Sequence, residues 1–161
     1  MSYQQISVLD VPETHPVAAF AAFWTLASNG GSSLPWSAFD PAQHKDLLPW
    51  VLLLKRDSDA DPALAQSWSY AICGTGCTEL FGRDYQGKTF GQDLPKQALV
   101  ERKAEIDQLI AGSGPLFSHA PLPCEGREFV QVFRAAFAFC DPAGMVDRLL
   151  FVVAREDERL P

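Results

Sequence analysis

Apolar and polar positions change period along this chain, and each change marks an element. Residues 17–28 are rich in Ala and aromatic rings and carry no charge. Thr14 or His15 can cap this stretch, Pro16 suits a first helical turn, and Asn29-Gly30-Gly31 ends it, so it reads as a helix. Phe20, Phe23, Trp24 and Ala27 share a broad face, while the far side is mostly Ala. A helix without a solvated face is buried or has a partner. After a linker at 32–39, Asp40-Pro41 opens a short helix running to about Leu48. Residues 50–55 are a short continuous apolar run, as in a buried strand. The acidic loop 57–62 lacks the Gly and closing Glu of an EF-hand and reads as a solvated turn. In 67–73, Trp68, Tyr70 and Ile72 alternate with Ser and Ala, which predicts a second strand. Gly74-Thr75-Gly76 then leads into a short helix, 77–81, closed by Gly82. Residues 95–111 are an amphipathic helix, with Leu99, Ile106 and Ile110 on one face, Leu109 beside it, and Glu101, Glu105 and Gln108 opposite. Strands are predicted at 116–122, 128–140 and 149–155, with a turn at 141–144.

Two strands, a helical excursion and three more strands predict an α+β fold. The expected architecture is a five-stranded antiparallel sheet with helices on one face and an extra N-terminal helix. The expected organisation is a lead-in at 1–14, a single domain at 15–155 and a charged tail at 156–161. A length of 161 residues suits one domain with a core of its own. The net charge is -7, and the densest basic pair, Arg102-Lys103, sits beside Glu101 and Glu105. Nucleic-acid binding, which needs clustered cations, is not expected. No charged region precedes an apolar leader, and the apolar run 17–27 is too short to span a bilayer, so a cytoplasmic chain without membrane contact is expected. Cys73, Cys77, Cys124 and Cys140 lack paired C-x2-C spacing. They read as reduced, packed thiols, and no metal site is expected.

Several short motifs extend over about residues 20–153: Trp24, Leu34-Pro35, Phe39-Asp40-Pro41, Leu48-Pro49, Tyr70 with Gly74-Thr75, Leu80-Phe81-Gly82-Arg83-Asp84 with Gly87-Lys88, and Asp141, Gly144 and Val146-Asp147-Arg148-Leu149-Leu150. In this order the sequence resembles small, often stand-alone PAS-like proteins of alphaproteobacteria. Ala138 departs from that pattern where a Pro is expected, as does Trp68 where Phe is more usual. The resemblance implies a sensory or interaction module that holds a small ligand between sheet and helices, or docks a partner on the sheet. It implies no catalytic residues.

The residues themselves offer little catalytic chemistry. No nucleophile elbow, P-loop or dinucleotide fingerprint occurs. A ligand pocket is expected to be lined by Tyr70, Ile72, Leu80, Phe81, Phe90, Phe117 and Phe133, with Tyr70 and His119 as its polar groups. Alternation with Phe117 places His119 on the same side, where it would bond a ligand or ligate haem iron; a satisfied histidine at a sheet edge is the plainer reading. Cys77 lacks the Asn/Gln surroundings of flavin photochemistry. A small apolar ligand is therefore expected before haem or flavin, and no cofactor is required for folding. The alternatives are an interaction module with a filled core and a small isomerase- or cyclase-type enzyme, for which the strands offer few acid–base groups. Strand 128–140 is apolar on both parities. Its outer face needs a cover, and the uncharged first helix is the candidate, in its own subunit or a neighbour's. A homodimer or a signalling partner is expected on a surface made by Phe20, Phe23, Trp24, Val130 and Val132.

Overall fold

The computed structural model describes residues 2–161. Its strands are β1 (Gln4–Ile6), β2 (Ser33–Pro35), β3 (Val51–Arg56), β4 (Trp68–Cys73), β5 (Leu116–Pro121), β6 (Gln131–Cys140) and β7 (Val146–Arg155). Its α-helices are α1 (Pro16–Ser28), α2 (Thr75–Phe81) and α3 (Lys96–Ile110). The strands form one sheet in the order β1-β5-β6-β7-β3-β4. Every pairing in that order is antiparallel; β2 adds a short parallel pairing to β6 where β5 has ended. The five longer strands lie in the order β5-β6-β7-β3-β4, with α2 and α3 in the excursion between β4 and β5. The fold is α+β, an antiparallel sheet with helices, with seven strands rather than the five expected. The lead-in supplies one of the extra strands: Gln4 to Ile6 pair with His119 to Phe117. The sheet therefore begins before the helix that was expected to open the domain.

The alternation of β6 divides the interior in two. Val132, Ala136 and Ala138 face a core that includes Cys77, Leu80, Ile106 and Leu109 of α2 and α3. Ala135, Phe137 and Phe139 face a second core with Val17, Phe20, Ala21 and Trp24 of α1. Helices thus cover both faces, because both parities of the central strands are apolar and neither face can stay wet. On the α1 side the contact is largely aromatic. Phe20 and Trp24 lie 4.7 and 5.2 Å from Phe137, and Trp24 meets Phe139 edge-on at 5.3 Å.

This packing corrects the expected partner surface. Phe20, Trp24, Val130 and Val132 are buried within a single chain, and Phe23 keeps only partial exposure. The apolar sheet face needs no second subunit, because α1 of the same chain already covers it. Two boundaries also differ. The short helix after Asp40 shrinks to a single 3₁₀ turn, Pro41–Gln43, because its hydrogen bonds close over three residues. β6 starts at Gln131, since the backbone turns from Cys124 to Val130 and leaves Phe129 80% exposed.

One irregularity decides which side chains reach the α2–α3 face. Leu54 pairs with Tyr70 and Leu53 with Ile72, so β4 spends two residues against one of β3. This bulge breaks the alternation. Trp68 and Tyr70 contact the α2–α3 core, whereas Ile72 is turned away and 42% exposed. Directly after β4, the chain must pass close under the preceding loop. A Cβ on Gly74 would collide with the backbone oxygens of Leu48 and Pro49, so only glycine permits this entry into α2.

His15 fixes the start of α1. Its Nδ1 accepts from the Val17 N–H, 3.1 Å, and its Nε2 is 2.8 Å from the Arg155 carbonyl. The cap needs a bare Nδ1, so Nε2 carries the proton and donates to Arg155. Burial of the ring lowers its pKa below the usual histidine range. A lowered folded-state value means that the unfolded chain binds the proton more readily. Stability from His15 is complete above about pH 6.5 and falls as the pH drops below that reference value. Urea denaturation of the native protein and of His15→Asn, whose side chain can still cap, is expected to show a smaller loss for the variant between pH 7 and pH 5. Parallel pH profiles would contradict this role.

Candidate functional site

Between the sheet and the helices α2 and α3 lies a half-enclosed pocket of about 60 Å³. Its floor is the sheet, through Leu52, Leu54, Val132 and Phe151. Phe81, Phe90, Leu94 and Leu122 form apolar walls. A cavity of roughly 150 Å³ admits one benzene, so this space suits a small group and is too tight in this form for a haem or flavin ring system. The polar lining consists of Tyr70, Tyr85, Cys124, Arg102 and Arg134, with no carboxylate or imidazole. Burial pushes the Tyr85 phenol up to about 12, raises that of Tyr70 further, and raises the Cys124 thiol. With pKa values raised, all three groups hold their protons at neutral pH.

The cationic lining comes from two elements. Arg134 projects from β6 between Val132 and Ala136, and Glu105 of α3 meets it in a two-pronged contact at 2.8 and 2.9 Å. Arg134 also donates to Ser118 Oγ at 2.9 Å and lies 5.7 Å from the Phe151 ring centre. Glu105 accepts a further bond from the Tyr3 hydroxyl, 2.7 Å, so the lead-in is tied into the same network. Burial alone would raise the Glu105 pKa, but the Arg134 charge and hydrogen bonds outweigh it and hold the group below the ordinary carboxylate range. Arg134 responds in the opposite sense: burial lowers its pKa, and Glu105 raises it more. The pair is therefore ionised.

Arg102 is placed differently. It is 6% exposed, lies over the Tyr3 ring at 5.1 Å, and has Glu101 at 3.4 Å as its acidic contact. Burial, followed by repulsion from Arg134, lowers its pKa to about 10.

Three of the residues expected to line a pocket do so: Tyr70, Phe81 and Phe90. Leu80 is buried in the adjoining core without bordering the cavity. The other four lie elsewhere. Ile72 is turned away by the bulge. Phe117 and Phe133 pack on the α1 side, since β5 and β6 place both on the parity of Phe137. His119 stands opposite Phe133 and follows it to that face, with its Nε2 2.8 Å from Glu156 in a half-exposed setting. Cys77 is fully buried, with Sγ 3.9 Å from the Val153 carbonyl, and burial raises its pKa. Among the described residues, no three His, Cys, Asp or Glu side chains cluster to hold a metal ion. No helix there is long and apolar enough to cross a membrane.

Sequence reasoning missed Arg102, Glu105 and Arg134, and placed Glu105 on the polar face of its helix. Glu105 alone of that face is buried, where it meets Arg134 as a counter-charge. The available signal was Arg134 itself: a cation within the apolar parity of a central strand demands an acidic partner.

No family model and no curated protein matches the chain. Similar folds occur in sensor proteins. A domain of a histidine kinase from Haloarcula marismortui, described as light and redox sensing, aligns with 71% of this chain and 96% of its own, at 9% identity and a TM-score of 0.48. A sensory box histidine kinase/response regulator from Burkholderia thailandensis E264 aligns over 72% and 84%, at 8% identity and a TM-score of 0.45. The PAS domain of BvgS from Bordetella pertussis aligns over 75% and 90%, at 16% identity and a TM-score of 0.41. Similarities at this level carry no argument about function, which rests on the pocket itself.

The ion pair gives a measurable signature. Arg134→Ala leaves Glu105 buried without its partner and is expected to cost about 3–5 kcal/mol in urea unfolding. Arg134→Met combined with Glu105→Leu removes both charges and is expected to recover most of that loss. A double variant as unstable as the single one would contradict the pairing.

Proposed function

We propose that this chain is a non-catalytic sensory module of the PAS type, related to the small alphaproteobacterial proteins its motifs resemble. Its pocket takes a small molecule, and a protein partner in the cytoplasm reads the occupied state. The observation that carries this reading is the half-enclosed, mostly apolar pocket with a few convergent polar groups between the sheet and α2–α3. The lack of a carboxylate or imidazole in the lining favours binding over acid–base catalysis. The small volume favours a second reading, an interaction module whose core is filled.

Native mass spectrometry of the purified protein and thermal unfolding with propanol, propionate or butyrate separate these two. The sensory reading expects an adduct, or a rise in melting temperature of a few degrees, that Leu94→Trp at the pocket wall abolishes. Bare protein with no thermal response to any of the three would leave the interaction module.

The chain is further proposed to form a homodimer through the outer side of α1, where Ala22 and Leu26 are exposed beside the half-exposed Phe23. Leu26 is 86% exposed on an uncharged helix, an arrangement that favours a second apolar surface. Sedimentation is expected to give a dimer at tens of micromolar, an ordinary affinity range, and a monomer for Leu26→Glu. A monomeric native protein would refute the dimer.

A further inference from the structure

We propose that the pocket is selective for small carboxylates with an apolar body, with the anionic head on the Arg102 guanidinium and the body against Phe81, Phe90 and Leu122. The inference rests on the reading of this space as a ligand pocket and names the chemical class it takes.

The argument begins with charge. Two guanidinium groups line the pocket, and one deeply buried carboxylate, Glu105, stands beside them. Glu105 is already committed: Oε1 accepts from Arg134, and Oε2 accepts from both Arg134 and Tyr3. Arg102 feels the Glu105 charge across space but makes no hydrogen bond to it, and its own ion pair is with Glu101, at 3.4 Å and partly solvated. A guanidinium has five donors, and this contact uses one of them. The cation has thus lost most of its water without gaining a full counter-ion, and its lowered pKa reflects the same imbalance. A carboxylate entering the pocket supplies the missing charge and matches the planar fork of an arginine.

Size and the remaining lining narrow the class. One under-compensated cation in a pocket of about 60 Å³ calls for a single negative charge rather than a phosphate dianion. Tyr70, whose phenol stays protonated, adds a neutral donor in the lining. The rest of the surface is hydrocarbon and aromatic, which favours a short alkyl body over a polar one.

Matched pairs of probes test this: propionate against propionamide, and butyrate against butyramide, titrated into protein with labelled Leu and Val methyl groups. The carboxylates are expected to bind at least about tenfold tighter than their amides, a difference typical of a charge-assisted contact. They should shift the methyl signals of Leu94, Leu122 and Val132. Arg102→Gln is expected to remove the carboxylate advantage while leaving amide binding in place, which also verifies that the variant's pocket is folded. Arg102→Lys keeps the charge without the fork and should retain part of the advantage; it replaces Arg102→Gln as the test if that variant does not fold. Equal binding of acids and amides, or a carboxylate preference that survives Arg102→Gln, would overturn the inference and leave the pocket reading intact. Binding by none of the four probes would overturn both.

Discussion

The buried contact between Arg134 and Glu105 is the constraint on which the α2–α3 side depends. A charged residue in the apolar parity of β6 is tolerable only if a counter-charge is delivered to it. α3 delivers that charge, and in doing so fixes its own rotation about its axis. Tyr3 then closes the network from the lead-in, with its hydroxyl on Glu105 and its ring under Arg102. One contact thus orients a helix, anchors an edge strand and lays two guanidinium groups along a cavity. A well-packed apolar pair would hold the helix to the sheet equally firmly, but it would not place charge beside the pocket.

The two sides of the sheet solve different problems. On the α1 side the interior is dry and aromatic, with Phe20, Trp24, Phe137 and Phe139 in mutual contact. Large rings interlock there, and the helix needs no polar anchor beyond the His15 cap. On the α2–α3 side β6 presents the smaller Ala136 and Ala138 to the core, and α2 is only seven residues long. The long connection from α2 to α3 completes the enclosure through Tyr85, Phe90 and Leu94.

The β4 bulge has a consequence out of proportion to its size. By spending one extra residue against β3, it keeps the Tyr70 phenol in the pocket while sending Ile72 to the opposite face. Regular alternation would place both side chains in the same space and crowd the cavity. The phenol stays beside Phe90 and Tyr85, with ring centres 6.3 and 5.3 Å away.

The sequence by itself determined the longer elements and the fold class. The uncharged stretch behind Pro16, the apolar run of β3, the period of α3 and the two apolar parities of β6 are local patterns, set by propensity and burial over a few residues. They were enough to predict an α+β sheet and a helix over its second face. The strands β1 and β2 were not legible, because three-residue edge strands owe their structure to a partner and carry no period of their own. The pocket was half legible. Tyr70, Phe81 and Phe90 followed from position, whereas Phe117, His119 and Phe133 went to the other face once β5 and β6 were in register. Parity tells which residues share a side; only the paired sheet, with its bulge and the helices laid on it, decides which side that is. The same holds for the charges: Arg134 asks for a counter-charge without naming it, Arg102 and Glu105 look solvated, and they become a buried network only when residues 29 apart, on a helix and a strand, are brought together.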